Sequence, residues 1–494
     1  MKFQDTICAP ATVPGTGAIS VIRVSGPDTF AVVDRVISLK RGTAAESRGY
    51  SAHFGTVSDQ GEMVDEVIVS VFRAPHSYTG EDSVEISCHA SAYVVQRILE
   101  LLSAAGARLA EPGEFTRRAY VNGKMDLAQA EAVADVIASS SQAAHRVAMN
   151  QLRGKYSDKL HELRDELLQL TALMELELDF SEEDVEFADR SRLRALVDDA
   201  IAHTSRLADS FRDGNAIRNG VPVAIVGAAN SGKSTLLNCL LGEERAIVSD
   251  IAGTTRDTIE ETMVLDGVLY RFIDTAGLRD TADTIEKIGI DRAYRKLSEA
   301  DIVLALIDAT TAPQCARESL ADIASRINPD QTLIVVRNKI DLGGAVASAA
   351  AVGEAVPVAS EVESGDSAAA GACAAREGCA VGDRAADCVS AAATVAISAL
   401  TGKGVDALRN AITRSQAGRY SASEILVTNA RHHEALRHAC ESLTLVRKGL
   451  ETDLSGDFIS QDLREALYHL GSITGEISTD EVLGEIFQHF CIGK

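Results

Sequence analysis

The stretch 227–235 reads GAANSGKST and constrains the possible folds of this chain most strongly. An apolar run precedes it and STLLNCLL follows it, so the context predicts a strand, a glycine loop and a helix. The two glycines of the pattern allow backbone N–H groups to face phosphate oxygens, beside the positive end of the helix dipole. Lys233 can reach the β- and γ-phosphates, and the Ser234 hydroxyl suits Mg²⁺. The pattern predicts a nucleotide-phosphate site, against the alternative of an ordinary glycine turn.

Two further segments predict contacts with phosphate and Mg²⁺. DTAG at 274–277 follows the strand-like LYRFI, so Asp274 can hold a Mg²⁺-bound water while the Gly277 N–H faces a γ-phosphate. GTTRD at 253–257 lies between the glycine loop and DTAG, where a switch segment with a Mg²⁺-ligating threonine is expected. Thr255 is the candidate for that ligand.

Two segments predict how the site selects the base of the nucleotide. They are NKID at 338–341 and SAL at 398–400, and each follows an apolar run. The carboxylate of Asp341 can accept hydrogen bonds from the N1–H and the exocyclic amine of guanine, a pair of donors that adenine lacks. SAL fits a loop that closes over the base. The order of the segments therefore favours GTP over ATP. The predicted nucleotide contacts from these segments are Asn230, Ser231, Gly232, Lys233, Ser234, Thr235, Thr255, Asp274, Thr275, Ala276, Gly277, Asn338, Lys339, Asp341, Ser398, Ala399 and Leu400.

Length and composition limit the class of protein. A chain of 494 residues with 46% hydrophobic residues predicts about three globular domains. No segment approaches the ~18 apolar residues of a membrane span, and nine cysteines without C-x-x-C pairs fit reduced thiols, so we expect a cytoplasmic protein. A net charge of −24 argues against wrapping nucleic acid over the whole surface, although a local basic patch stays possible.

Periodicity predicts a multidomain α+β and α/β fold. We expect an α+β domain at 1–120, a helical bundle formed by 121–216 and 418–494, and a nucleotide domain at 217–417 inserted between its parts. Residues 344–394 contain no aromatic residue, Leu, Ile, Met or Lys, so they predict a flexible insert. An apolar stripe with helical spacing predicts a bundle core and consists of Leu152, Tyr156, Leu160, Leu163, Leu167, Leu170 and Leu173.

Catalysis of GTP hydrolysis requires a positioned water and neutralisation of developing charge. Many GTPases have a glutamine directly after DTAG, but here Leu278 stands there and can do neither. A metal ion, a partner's group or another carboxylate must then contribute. Asn230 could help to hold a monovalent cation and Glu286 could orient the water, although an exposed Glu is usually only solvated. With Lys233, these are the candidate catalytic residues.

The chain resembles the MnmE (TrmE) family of tRNA modification GTPases over nearly its full length. The resemblance is carried by GAANSGKST, DIAGTTRDT, DTAGLRDTADTIEKIGI, NKID, PGTGAISVIRVSG, YTGED, EPGEFTRRAYVNGKMDLAQAEAV and the ending ITGEISTDEVLGEIFQHFCIGK. The departure from the family is the segment 344–394, which leaves these motifs intact.

The resemblance implies an N-terminal tetrahydrofolate-binding-like domain, a helical domain and an inserted Ras-like G domain. It also implies a homodimer that forms a heterotetramer or larger assembly with the FAD-containing partner MnmG and works with it on tRNA. Together they add an aminomethyl or carboxymethylaminomethyl group to carbon 5 of the wobble uridine, using 5-formyl- or 5,10-methylene-tetrahydrofolate. GTP hydrolysis in the family is accelerated by K⁺.

Particular residues match the family's functional positions. The family's K⁺ ligands match Asn230, Ser249, Ile251 and Thr254, and its Mg²⁺ ligands match Ser234 and Thr255. The carboxylate that positions the water matches Glu286. The family's folate contacts match Arg23, Glu81, Lys124 and Lys494. Cys491 has the family's position, and we interpret its role as structural or incidental. If MnmG supplies most tRNA contacts, local groups of this chain could be Arg117, Arg118, Arg431 and Arg437.

Two alternatives stay open on the residues alone. The turns that precede Arg23 and contain Glu81 are either part of a ligand site or ordinary turns beside solvated charges. In addition, either the GTP cycle drives tRNA modification, or it only regulates the assembly of other complexes, for example ribosomes.

Overall fold

The computed structural model describes residues 3–179, 190–228, 230–242, 261–273, 297–342, 392–416, 425–452, 454, 456–478, 480–488, 490 and 493. The chain forms two compact units, one made of Met1–Ser139, Arg146–Phe211 and Ile425–Lys494, the other of Ser140–His145 and Arg212–Glu424. Predicted site residues outside the described ranges are Ser249, Ile251, Thr254, Thr255, Asp274, Thr275, Ala276, Gly277, Glu286, Cys491 and Lys494.

The first unit begins with a seven-stranded sheet in the order β3-β4-β5-β6-β2-β1-β7. Its strands are β1 (Ile7–Pro10), β2 (Ile19–Ser25), β3 (Ile37–Leu39), β4 (Ser51–Asp59), β5 (Glu62–Phe72), β6 (Ser83–His89) and β7 (Arg108–Leu109). Helices α1 (Thr29–Val36) and α2 (Ala92–Ala104) contribute to the core of this sheet. Alternation places Val67, Val69 and Val71 in that core, and a sheet with helices confirms the α+β class expected for this part of the chain.

Helices follow as the sequence predicts. They are α3 (Glu114–Val121), α4 (Leu127–Ala138), α5 (Gln142–Leu152), α6 (Lys155–Asp179), α7 (Arg190–Asp209) and α8 (Phe211–Asn219). Helix α4 begins with a capping box, in which Asp126 and Gln129 exchange side-chain and backbone hydrogen bonds.

The second unit contains a six-stranded sheet in the order β13-β12-β11-β8-β10-β9, parallel except for the β9–β10 pair. Its elements are β8 (Val221–Gly227), α9 (Lys233–Leu241), β9 (Glu261–Leu265), β10 (Val268–Ile273), β11 (Ile302–Asp308), α10 (Pro313–Ala324), β12 (Thr332–Asn338), β13 (Ala393–Ala396) and α11 (Val405–Ser415). Strands β8, β11 and β12 end at one edge, because Gly227 lies opposite Leu306 and Asn338 opposite Asp308. Loops at this carboxyl edge form ligand sites in such sheets.

The predicted insert at 344–394 is too long at its end. Ala393 and Thr394 already belong to strand β13, where they pair with Ile334 and Val335 of β12. Backbone hydrogen bonds to a neighbouring strand order these residues although their side chains bury little surface. Residues 344–391 of the predicted insert lie outside the described residues.

The chain ends with α12 (Ala430–Glu451), α13 (Gly456–Thr474) and α14 (Asp480–Gln488). Most of the predicted stripe is confirmed as a bundle core, since Tyr156, Leu160, Leu163, Leu167 and Leu170 of α6 are buried in one cluster with apolar residues of α7, α12 and α13. Leu152 is instead the half-buried last residue of α5, and the side chain of Leu173 lies outside the described residues. Within the described ranges, no helix combines the length and apolarity needed to cross a bilayer.

A buried ion network joins α4 to α12. Glu131 accepts hydrogen bonds from Arg431 and pairs with His432, and Arg431 also donates to the backbone carbonyl of Ser472 at 2.7 Å. Burial alone would raise the pKa of the Glu131 carboxyl. Attraction and hydrogen bonding from His432 and Arg431 outweigh burial and lower this pKa from 4.5 to about 2. The network therefore depends on an ionised carboxylate.

We predict that Glu131→Gln lowers the free energy of unfolding by roughly 3 to 5 kcal/mol at neutral pH, because it leaves Arg431 partly buried without its counter-charge. A carboxyl with a depressed folded-state pKa stabilises the fold above its unfolded pKa and stops doing so as pH falls through its folded pKa. The difference between wild type and variant should therefore shrink as the pH falls from 4.5 to about 2. Chemical denaturation followed by circular dichroism measures both effects.

Glu441→Gln is the matched control. Glu441 pairs with Arg437 on α12, but both side chains are more than half exposed. Its loss should change stability by no more than ~1 kcal/mol. Equal effects of the two variants would show that the Glu131 network contributes no more than a surface ion pair.

Candidate functional site

Two glycines allow the loop between β8 and α9 to approach its neighbours closely. A Cβ atom on Gly227 would lie 2.3 Å from the Leu306 carbonyl oxygen of β11. Gly232 has a φ of +96°, and a Cβ atom there would lie 2.4 Å from Nδ2 of Asn338. Any side chain at either position would push the loop out of place.

The loop presents a cation and polar groups. The Lys233 ammonium donates to the carbonyl oxygens of Gly227 at 3.0 Å and Ala228 at 2.9 Å, and burial lowers its pKa. The Ser231 hydroxyl is buried and has no hydrogen-bond partner in the described part of the chain. Asn230 is exposed, with a φ of +60° that asparagine tolerates better than most residues. A bound oxyanion would supply an acceptor for the Ser231 hydroxyl and a counter-charge for Lys233. Ser234 and Thr235 follow on the exposed face of the first turn of α9.

Asn338 connects this loop to the loop that contains SAL. Its buried side chain donates from Nδ2 to the Ser231 carbonyl at 2.9 Å and accepts at Oδ1 from the Ala399 N–H, also at 2.9 Å. Both loops are thereby held beside the end of β12. The sequence predicted Asn338 as a nucleotide contact but did not reveal that it joins the two loops.

The other base-side candidates differ in exposure. Ser398 and Ala399 are buried, while Leu400 is 80% exposed. Asp341 is also exposed and can reach a ligand. Lys339 has a φ of +64°, and its ammonium lies 2.7 Å from a carboxylate oxygen of Asp308. The nucleotide motifs in the sequence did not indicate Asp308 as a residue of this site. The position of Asp308 at the end of an apolar strand was the available signal.

A second candidate site lies at one end of the N-terminal sheet. Arg23 on β2 pairs with Glu85 on β6 at 2.8 Å, and its guanidinium lies 5.0 Å from the ring centroid of Tyr78. Two residues along β2, the Ser25 hydroxyl donates to a Glu81 carboxylate oxygen at 2.8 Å. Arg23 and Ser25 share one face of the strand because side chains alternate. The structure therefore brings Arg23 and Glu81 to the same part of the sheet.

Lys124 and the C-terminal tail lie beside these residues. The Lys124 ammonium donates to the Pro75 carbonyl at 3.0 Å, and its side chain passes next to Gly80. The Gly493 carbonyl accepts a hydrogen bond from Arg23 at 3.4 Å. Gly493 has a φ of +95°, and a Cβ atom there would lie 2.0 Å from the Pro10 carbonyl oxygen, so the tail can lie here only with glycine. The described folate candidates thus lie on β2 and at the turn that contains Gly80, and Arg23 also contacts Gly493.

One of the suggested tRNA contacts, Arg118, is wrong for this structure. Arg118 is 0% exposed and bonds to Asp5, Glu81 and Glu114. Arg431 donates to Glu131 and to backbone carbonyls, and its side chain is 25% exposed, so its contact with tRNA stays a prediction. Sequence alone could not distinguish the buried Arg118 from an exposed arginine, because it lies on a helix that carries both polar and apolar residues. Arg437 is half-exposed and remains accessible.

A mostly parallel sheet with a glycine loop, a lysine after that loop and an asparagine that joins it to a second loop defines a P-loop nucleotide-binding protein of the GTPase class. Comparison with known proteins then specifies the family. A model described as "GTP-binding protein TrmE N-terminus" matches residues 6–124, and one described as "MnmE helical domain" matches residues 127–491. The tRNA modification GTPases MnmE of Parabacteroides distasonis and Bacteroides thetaiotaomicron are each 48% identical, over 99% of this chain and 100% of each relative.

This chain belongs to the MnmE family of tRNA modification GTPases. The resemblance seen in the sequence is confirmed. Among solved structures, the G domain of the T. maritima FeoB iron transporter is 19% identical, with a TM-score of 0.23 over 39% of this chain and 97% of that chain. The assignment therefore rests on the sequence relatives.

We predict that Gly232→Ala weakens GDP binding at least about tenfold, equivalent to 1.4 kcal/mol. The new Cβ atom would displace the Asn338 side chain and so separate the two loops. Titration of the purified full chain with fluorescent GDP measures the change.

Gly61→Ala is the control for backbone strain. Gly61 has a φ of +91° but nothing lies within 4 Å of a Cβ atom there. It should lower stability by about 1 to 2 kcal/mol without affecting GDP binding. Unchanged GDP binding in Gly232→Ala would show that the close approach to Asn338 is not needed.

Proposed function

We propose that this chain is a K⁺-activated GTPase that works with the FAD-dependent partner MnmG on carbon 5 of the wobble uridine of certain tRNAs. The reaction adds an aminomethyl or carboxymethylaminomethyl group, with 5-formyl- or 5,10-methylene-tetrahydrofolate as the one-carbon donor. One observation carries this proposal: Arg23 donates to the Gly493 carbonyl, and Glu81 and Lys124 lie at the neighbouring turn that contains Gly80, in a chain that also has a nucleotide-phosphate loop.

The phosphate loop suits GTP with Mg²⁺. On nucleotide binding, Lys233 would exchange the carbonyls of Gly227 and Ala228 for β- and γ-phosphate oxygens, and the buried Ser231 hydroxyl would gain an acceptor. Ser234 and Thr255 would hold Mg²⁺, which neutralises charge on the phosphates. Asp341 would accept hydrogen bonds from guanine.

Hydrolysis also needs an aligned water and a second positive charge near the phosphates. Glu286 would orient the water, since Leu278 has no polar group. Asn230 would hold K⁺ together with Ser249, Ile251 and Thr254, and the exposed position of Asn230 in the loop supports this role. Substitution of Glu286 by Ala should lower turnover and leave GTP binding nearly unchanged.

The rim of the N-terminal sheet would bind the folate donor. Arg23 and Lys124 can pair with carboxylates or polarise carbonyl groups, and Tyr78 offers an aromatic face beside Arg23. Glu81 can accept hydrogen bonds from ring N–H groups. Lys494, which follows Gly493 in the sequence, would complete the set.

The remaining parts of the proposal concern assembly. The chain would act as a cytoplasmic homodimer bound to MnmG, which carries FAD and most of the tRNA contacts. Its proposed domains are a folate-binding-like domain at 1–120, helical parts at 121–216 and 418–494, and a G domain at 217–417.

We predict that the purified chain hydrolyses GTP about tenfold or more faster in K⁺ than in Na⁺ at equal ionic strength, a difference of 1.4 kcal/mol in the barrier. Asn230→Ala should remove most of this advantage because it removes a cation ligand, while GDP binding persists. Steady-state phosphate release in both salts measures the effect. Equal rates for the wild-type chain in the two salts would contradict the K⁺ site.

We predict that Arg23→Ala abolishes wobble-uridine modification in a reconstituted mixture of this chain, MnmG, tRNA, GTP and the folate donor. GTP hydrolysis should be unchanged, because Arg23 lies in the first unit and the phosphate loop in the second. Mass spectrometry of the tRNA nucleosides provides the measurement.

Arg97→Ala is the matched control for this experiment. Arg97 lies on α2 of the same domain, where it pairs with Asp59 of β4 and with Glu100 of α2. Its loss should leave modification intact. If the wild-type mixture leaves uridine unmodified while GTP turnover proceeds, the regulatory alternative is favoured instead.

A further inference from the structure

Asp308 lies at the end of β11, on the edge of the sheet that carries the phosphate loop. It is in register with Asn338 on β12, and two residues earlier Leu306 is in register with Gly227 on β8. This position places the Asp308 carboxylate next to Lys339, the residue after Asn338. Neither the nucleotide motifs nor the proposed function assigns a role to Asp308.

The two carboxylate oxygens of Asp308 have separate partners. Oδ1 accepts from the Thr310 N–H at 2.9 Å and from its hydroxyl at 2.7 Å, which closes a local turn. Oδ2 accepts from the Lys339 ammonium at 2.7 Å. The carboxylate is 20% exposed and the lysine side chain 30% exposed, so solvent only partly screens the pair.

The backbone around Lys339 is held on both sides. The Asn338 carbonyl accepts from the Ala309 N–H at 2.8 Å, and the Ile340 N–H donates to the Ile397 carbonyl at 3.2 Å. Between them Lys339 adopts a φ of +64°, which is uncommon for a residue with a side chain. The ion pair with Asp308 restrains the remaining freedom, that of the long lysine side chain.

We propose that Asp308 is a positioning residue for guanine nucleotide and acts by holding Lys339 ready for binding. This inference rests on the nucleotide contact proposed for Lys339. A lysine side chain loses rotamer freedom when a ligand orders it, and a partner that already holds it reduces this loss. Without Asp308, each binding event would have to order Lys339 itself. The competing interpretation is that Asp308 serves only the Thr310 turn.

The test is a double-mutant cycle on the full chain, with fluorescent GDP as the probe. Asp308→Ala should weaken GDP binding roughly three- to tenfold, mainly through faster dissociation. In a chain that already carries Lys339→Ala, Asp308→Ala should cause no further weakening, because its effect passes through the lysine. If the fold-increases in the Kd for GDP caused by the two single substitutions multiply in the double variant, the proposal is overturned.

Thr310→Val separates the two roles of the carboxylate. It removes the hydroxyl bond to Oδ1 and leaves the pair between Oδ2 and Lys339 in place. GDP dissociation should stay within about twofold of wild type, although the melting temperature can fall. If Thr310→Val accelerates GDP dissociation as much as Asp308→Ala does, Asp308 acts through the turn, and the proposal is overturned.

Asp308→Asn keeps the cycle interpretable if the alanine variant folds poorly. Its amide oxygen can still accept from Thr310, but the charge that attracts Lys339 is gone. We expect GDP dissociation to be faster than in wild type, with a normal melting temperature. Failure of the wild-type chain to bind GDP would contradict the proposed function itself, whereas a wild-type rate in Asp308→Asn would contradict only the role of Asp308.

Discussion

The candidate nucleotide site depends on one buried amide. Asn338 bonds the phosphate loop through the Ser231 carbonyl and the SAL loop through the Ala399 N–H. A buried amide left without partners would cost free energy, so both loops are held at the end of β12 by the same side chain. The groups proposed to contact phosphate and base are therefore fixed relative to one another before a nucleotide binds. This arrangement works only because Gly232 leaves room for Nδ2 of Asn338.

The same principle of close approach applies at the rim of the N-terminal sheet. Gly493 lies against Pro10, where no side chain fits, and its carbonyl accepts from Arg23. Phe487 and Phe490, which precede Gly493 in the sequence, pack in a cluster with Leu127. Apolar packing and the hydrogen bond from Arg23 thus both hold residues near position 490 against the N-terminal part of the first unit.

Charged groups inside the first unit have roles that their sequence context conceals. Arg118 is fully buried among Asp5, Glu81 and Glu114, and it therefore helps to hold Glu81 where Ser25 also contacts it. Isolated charges are costly to bury, whereas paired ones can be tolerated. An arginine expected to contact tRNA is instead part of the support for a candidate ligand residue.

The sequence by itself determined the order of the elements, the stripe of α6 that became the bundle core, the identity of the phosphate loop and the family. These features are local, since spacing along the chain decides which residues share a face or a turn. Only the tertiary structure decided which residues meet, such as Asn338 with Ala399, Asp308 with Lys339, and Arg23 with Gly493. It also decided that Arg118 is buried and that Ala393 belongs to a strand. The reason is that burial and hydrogen bonding between distant segments depend on how the elements pack, which the periodicity of one segment does not contain.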